Sequence, residues 1–166
     1  MILVSACLLG QLVRYKGDGC AQELLTVPEV RKHLVPICPE CAGGLPTPRP
    51  PAEIQGVVGG SGVWRGTAKV INNIGQDVTE AYCAGAQEAL QITRTQPITA
   101  AILKERSPSC GTHAIYDGSF TGCKLAGQGV AAAALAQAGI PLYSEEELTP
   151  ALINHLLEQD KRSTQK

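Results

Sequence analysis

Short, continuous apolar runs alternate along this chain with alanine-rich segments of helical spacing, and that alternation predicts an α/β fold. The expected form is a three-layer single domain with a mostly parallel central sheet and a small irregular β excursion. Two observations support it. The runs are apolar at successive positions rather than at alternate ones, as in strands buried on both faces. The length of 166 residues suits one domain with a full core. We expect that domain to span residues 1–158, with a polar C-terminal tail over 159–166 that frays.

The elements follow in order. Met1 to Ala6 is a buried strand leading directly into a loop at Cys7. Gln22 to Leu34 places Leu24, Leu25, Val27, Val30 and Leu34 at helical spacing, with Pro28 in the first turn. Leu34-Val35-Pro36-Ile37 is a second strand, and its proline makes it short or puts it near an edge. Ala42 to Pro51 holds too many prolines and glycines for a regular element and reads as a well-determined loop. Val57 to Ile74, with Gly59-Gly60-Ser61-Gly62, reads as irregular β structure with turns, an antiparallel excursion. Asp77 caps a helix of strong helix formers over Ala81 to Ile92. Ile98 to Lys104 is the next strand, followed by a short strand pair or turn over His113 to Gly122. An alanine-rich helix over Gly127 to Ala138 ends at Gly139. Ile140 to Ser144 is the last strand and Glu145 to Glu158 the last helix.

Composition excludes several classes. The formal charge of −1, with charged residues in small mixed groups, gives no footprint for stable nucleic-acid binding and favours a small substrate. No run approaches the roughly 18 apolar residues of a spanning helix, and no basic segment precedes the first apolar run. The expectation is a cytoplasmic protein with no membrane association. Seven cysteines cannot all pair, and nothing signals export to an oxidising compartment, so disulfides are not expected. Cys83, on an alanine-rich helix, reads as core, and Cys20 and Cys123 as loop thiols in glycine-rich surroundings.

The remaining cysteines lie just past strand ends: Cys7 after Ile2-Leu3-Val4, Cys38 after Leu34 to Ile37, and Cys110 after Ile98 to Lys104. In an open parallel sheet the carboxyl ends of the strands face one crevice, so these thiols can converge on one bound object. Cys38-Pro39-Glu40-Cys41 also permits other readings. A structural zinc site would want a second Cys-x-x-Cys or a His pair, and none exists. A thiol–disulfide motif would want a helix starting at Cys38, and Gly43, Gly44 and Pro46 oppose one. An iron–sulfur cluster accepts single thiolates from separate loops. Ala6, Gly10, Gly43, Gly44, Ser109 and Gly111 beside these cysteines let backbone approach a bulky inorganic core.

Val4-Ser5-Ala6-Cys7-Leu8-Leu9-Gly10, Val13-Arg14-Tyr15, Cys38-Pro39-Glu40, Gly43-Gly44-Leu45-Pro46-Thr47-Pro48-Arg49, Ala101-Ile102-Leu103-Lys104 and Ser107-Pro108-Ser109-Cys110-Gly111 occur in this order. Together they resemble the thiouracil desulfidase family, long catalogued as a bacterial domain of unknown function, from Met1 to about Glu147. The resemblance implies a 4Fe-4S cluster on Cys7, Cys38 and Cys110, with one iron not ligated by protein and acting as a Lewis acid. It implies non-redox, hydrolytic removal of sulfur from a thiolated pyrimidine. By the same carry-over Glu40 and Ser107 match the catalytic carboxylate and hydroxyl.

Cys41 stands where the family pattern leads us to expect an apolar residue. It is either a bystander or a fourth ligand, which would make the protein a non-catalytic iron–sulfur or redox-sensing module. Glu40 and Ser107 could also be plain loop residues that accept backbone N–H groups. Arg49 is a candidate for binding substrate and Arg14 a lesser one, although an ion pair with Asp18 or Glu53 would explain either arginine. Lys104 and His113 are lesser candidates. Phe120, in Tyr116-Asp117-Gly118-Ser119-Phe120, offers a stacking face for a base.

Overall fold

The computed structural model describes residues 1–164. In chain order its elements are β1 (Ile2–Ser5), α1 (Glu23–Thr26), α2 (Pro28–Arg31), β2 (Leu34–Ile37), α3 (Pro39–Ala42), β3 (Ala52–Gln55), α4 (Gly59–Trp64), β4 (Lys69–Asn72), α5 (Thr79–Thr95), β5 (Ala100–Leu103), β6 (Ala114–Tyr116), β7 (Lys124–Ala126), α6 (Val130–Gln137), β8 (Leu142–Ser144) and α7 (Pro150–Thr164). The central sheet is parallel throughout, in the order β2-β1-β5-β8. Two small antiparallel sheets, β3-β4 and β6-β7, stand beside it.

The side-chain alternation of a strand explains the three layers. Ile2, Val4, Ala100 and Ile102 face one way and pack with Leu25, Val30, Ile153 and Leu156 from α1, α2 and α7. Leu3, Ala101 and Leu103 face the other way, onto Ala89 of α5 and Ala132 and Leu135 of α6. A third cluster joins α5 and α6 to the β3-β4 sheet through Ile54, Val63, Val70 and Tyr82. Both faces of β1 are therefore covered, which is why its sequence reads as apolar without a break.

Register places the site. Ser5 of β1 lies level with Ile37 of β2, and Val4 level with Ile102 of β5. The three strands end together, and the chain leaves β1 to one side for β2 and to the other for β5. That reversal of strand order is where ligands bind in open α/β sheets.

Several elements differ from the sequence expectation. The helix expected over residues 22–34 is two single turns, because Val27 before Pro28 takes an extended conformation (φ −58°, ψ 127°). Pro36 does occupy an edge strand, where its missing N–H costs nothing. The glycine run expected as β structure is instead the helix α4. A Cβ on Gly60 would stand 2.3 Å from the Gly129 carbonyl oxygen, so absence of side chains lets this turn reach α6. An antiparallel pair, β3-β4, does flank it, but β3 lies before the expected bounds and only β4 within them. Asp77 accepts a hydrogen bond from the Thr79 N–H (3.0 Å) at the start of α5. The fraying expected from residue 159 is absent as far as Thr164: α7 continues through it and Asp160 is buried. The last two residues of that segment lie outside the described residues.

A helix does begin after Cys38, contrary to the expectation from Gly43 and Gly44. Pro39 takes its first position, where no N–H is needed, and the turn ends at Gly43. This single turn, α3, lies on α5 with backbone against backbone: a Cβ on Gly43 would meet the Ala81 oxygen at 1.9 Å, and one on Gly85 the Pro39 oxygen at 1.8 Å. Alanine at 85 would gain about 1 kcal/mol of helix propensity on an exposed helix. Here the forced separation outweighs it, so Gly85→Ala is expected to destabilise by about 1–3 kcal/mol. A thermal melt should show a fall of roughly 2–4 °C per kcal/mol.

Candidate functional site

A cavity of about 600 Å³ opens at the carboxyl ends of β1, β2 and β5. Cys7, Cys38 and Cys110 all line it, together with Glu40, Arg49, Ser107 and Phe120. Cys7 sits in the 3-10 turn Ala6–Leu9 that leaves β1, Cys38 caps α3, and Cys110 closes the loop after β5. Cys7 and Cys110 are buried and Cys38 is partly so. Burial pushes the Cys7 thiol well up, with Cys20, Cys110 and Cys38 adding to it. Burial likewise holds Cys38 up to about 12, with Cys41 and Cys110 among its neighbours. Burial raises Cys110 too, against hydrogen bonds from Ser5, Ser109 and Ser107. The three thiols thus converge on one space and disfavour one another's ionisation, which suits a group that brings its own positive charge.

Among the described residues no group of three or more His, Cys, Asp or Glu side chains is disposed to hold a single metal ion. Thiols spread around a cavity match a polynuclear group, in which each thiolate takes a different metal atom. Cys41 does not line the cavity. Its sulfur lies 3.8 Å from the Val13 carbonyl oxygen, 3.5 Å from the Thr47 hydroxyl and 3.8 Å from Arg49 Nη1. Cys20 neighbours Cys7, and Cys20, Cys83 and Cys123 all lie outside the cavity lining.

Glu40 and Arg49 meet at the cavity wall. Arg49 Nε donates to Glu40 Oε2 at 2.6 Å, and both side chains are nearly buried. The rest of the guanidinium also serves the protein: Nη2 donates to the Val13 oxygen (2.9 Å), and Nη1 to the Pro46 oxygen and the Thr47 hydroxyl (3.1 Å each). Burial alone would lower the Arg49 pKa, but Glu40 more than offsets it and the guanidinium stays charged. The alternative ion pair with Glu53 does not form, while Arg14 does pair with Asp18 (3.1 Å).

Ser109, which sequence reasoning passed over, links the two expected catalytic groups. Its hydroxyl donates to Glu40 Oε1 (3.2 Å) and lies 3.2 Å from the Ser107 hydroxyl. Ser107 Oγ accepts the backbone N–H groups of Ser109 (3.2 Å) and Cys110 (3.1 Å). With both its lone pairs engaged and the Ser109 proton on Glu40, Ser107 donates its own proton to Ser109 Oγ. Tyr82, only 2% exposed, lies against Glu40 on the cavity wall, and burial with that carboxylate holds its hydroxyl well above the usual range. It was legible only as a core residue of α5.

Glu105 was also missed, since one carboxylate between Lys104 and Arg106 reads as surface. It is 4% exposed. Its Oε1 accepts the N–H groups of Thr112 (3.0 Å), His113 (3.1 Å), Ala114 (3.0 Å) and Arg106 (3.3 Å), and its Oε2 the Thr112 hydroxyl (2.6 Å). This carboxylate is the centre around which the Cys110 loop turns. Lys104 lines the cavity and pairs with Glu145, whereas His113 pairs with Glu147 (2.9 Å) at the surface, outside the cavity lining.

A parallel α/β scaffold with three strand-end thiols, a buried acid and a hydroxyl around one cavity defines a thiolate-lined α/β enzyme. The chain belongs to the 2-thiouracil desulfurase family, whose profile matches residues 2–147. It is 48% identical over 154 residues to the uncharacterized protein YbbK of Bacillus subtilis (strain 168), covering 92% of this chain and all of that protein. It is also similar to a solved structure titled as the 4Fe-4S-dependent thiouracil desulfidase TudS. That match has a TM-score of 0.81 and 42% identity, covering 95% of this chain and 97% of the other. No helix among the described residues is long and apolar enough to cross a membrane.

Burial opposes ionisation of Glu105, but its ring of donors prevails and holds the carboxyl down at about 2. A carboxyl lowered in the folded state contributes stability that is present above its unfolded pKa and lost as pH falls towards the folded one. The loss should run from about pH 4.5 to pH 2 and amount to about 3 kcal/mol. Chemical denaturation across pH should show the gap between the wild type and Glu105→Gln closing over this window.

Proposed function

We propose that this protein is a 4Fe-4S-dependent desulfidase that hydrolyses the thiocarbonyl of a thiolated pyrimidine base or nucleoside. The carbon–sulfur bond is replaced by a carbon–oxygen bond from water, sulfur leaves as hydrogen sulfide, and no electron is transferred. The observation that carries this reading is that Cys7, Cys38 and Cys110, from three separate loops, line one cavity with Glu40 and Ser107. Their number and spread fit a cubane held by three thiolates. When bound, such a cluster supplies an iron without a protein ligand, a Lewis acid that draws electron density from the C=S carbon.

The chain's own groups handle the protons. Arg49 occupies Glu40 Oε2 and so orients Oε1 towards Ser109 and the cavity. Glu40 accepts the proton of the attacking water, directly or through the hydroxyl of Ser109. Ser107, whose oxygen is fixed by two backbone N–H groups, turns its O–H from Ser109 to the oxygen that develops on the pyrimidine carbon. In this reading Arg49 positions the base rather than contacting substrate, because its donors face the protein. Phe120 offers a ring face at the cavity rim. A reducing, cytoplasmic setting and a small uncomplexed substrate suit a chain with a charge of −1 and free cysteines.

Iron and acid-labile sulfide per chain, measured on protein prepared without oxygen, test the centre. Four irons in the wild type, lost in Cys7→Ser, Cys38→Ser and Cys110→Ser but retained in Cys41→Ser, are expected. Protein that resists loading and carries a Cys38–Cys41 disulfide would overturn the reading. In loaded protein, Glu40→Gln should lower the rate of sulfide release from thiouracil by about 10²–10⁴-fold with iron content unchanged. A rate equal to the wild type would remove Glu40 as the base.

A further inference from the structure

Glu53 is a nearly buried carboxylate on β3 that lines the same cavity and makes no ion pair among the described residues. The nearby cation in sequence, Arg49, is committed to Glu40. A buried carboxylate without a cation is costly unless N–H donors surround it. Two of those donors are visible. Glu53 Oε2 accepts the backbone N–H groups of Gly118 (2.9 Å) and Phe120 (3.0 Å). Gln55 Nε2 donates to the Gly118 oxygen (2.7 Å), so the strap over residues 117–123 is fastened at both polarities. Phe120 is held in the left-handed region (φ 58°), a conformation that a bulky residue adopts only when its surroundings impose it.

The other oxygen of Glu53 receives no hydrogen bond from any described residue. It is not sealed in either: Asp18 Oδ1 is the one side-chain oxygen among the described residues that is both enclosed and unpartnered. Glu53 therefore lines the cavity with one acceptor oxygen that the protein leaves unclaimed, while its second oxygen holds the aromatic residue at the rim. We infer that Glu53 Oε1 recognises a ring N–H of the substrate heterocycle, with the Phe120 strap held against the ring by Oε2. The ligand class is a planar lactam or thiolactam ring, which carries an N–H beside its carbonyl or thiocarbonyl. A charged acceptor makes the stronger kind of hydrogen bond to such a donor. This rests on the desulfidase reading and names what that site selects.

The test measures binding of uracil, 1-methyluracil and 3-methyluracil to iron-loaded wild type, Glu53→Gln and Glu53→Ala by calorimetry, alongside sulfide release from thiouracil. Glutamine keeps an oxygen for the strap but can turn an NH₂ group to the ring. The wild type should bind one of the N-methylated rings roughly 10- to 100-fold more weakly than uracil, and Glu53→Gln should erase that ratio at unchanged iron content. In turnover the same substitution should raise KM more than it lowers kcat. Equal binding of all three rings by the wild type, or an unchanged ratio in Glu53→Gln, would overturn the inference. Discrimination through Glu53 without sulfide release would leave it standing and overturn the desulfidase reading instead.

Discussion

The guanidinium of Arg49 holds two of the three site loops in one arrangement, and most of the geometry around Glu40 follows from it. Its N–H groups reach Val13 in the loop after β1 and Glu40, Pro46 and Thr47 in the segment after β2. Its own backbone N–H adds the Tyr15 oxygen at 2.9 Å. A buried ion pair repays its desolvation only when the remaining donors are also satisfied, and here they go to carbonyl and hydroxyl oxygens. Removing one partner of such a pair leaves the other buried and uncompensated, so the cost of breaking it exceeds the worth of making it. The pair therefore specifies the arrangement of the two loops.

The third loop, which carries Ser107 and Cys110, is organised by acceptors rather than by a cation. Glu105 collects five donors at its base and Ser107 two at its tip. Both devices bind backbone N–H groups that a tight loop would otherwise leave unpaired. The two systems meet at Ser109, whose hydroxyl spans from Ser107 to Glu40. One cation and two acceptor clusters thus lock the side chains of three loops of irregular backbone through hydrogen bonds.

Close backbone approach is the third constraint. The turn α3 lies directly on α5 because Gly43 and Gly85 carry no side chains at the contact, and α4 reaches α6 through Gly60 for the same reason. Cys38 caps α3 and Glu40 lies within it, so the α3–α5 contact positions both. Gly60, which the sequence assigns to irregular β structure, is here interior to a helix, where packing outweighs its unfavourable propensity.

What the amino-acid sequence determined by itself was the scaffold and the positions of the thiols on it. Short apolar runs alternating with helical segments read as strands of a covered sheet, and cysteines just beyond three such runs then emerge at one edge of a parallel sheet. These are local patterns, readable because strand periodicity and chain direction are properties of consecutive residues. The tertiary structure decided the partners. That Arg49 takes Glu40 and leaves Glu53 to the Phe120 strap, that Ser109 joins Ser107 to Glu40, and that Glu105 gathers the Cys110 loop are choices among side chains that the chain brings together from afar. So is the helical state of the Gly59–Trp64 segment, imposed by its contact with the start of α6. Pairing of this kind depends on which donors and acceptors share a buried volume, and no spacing along the sequence encodes that.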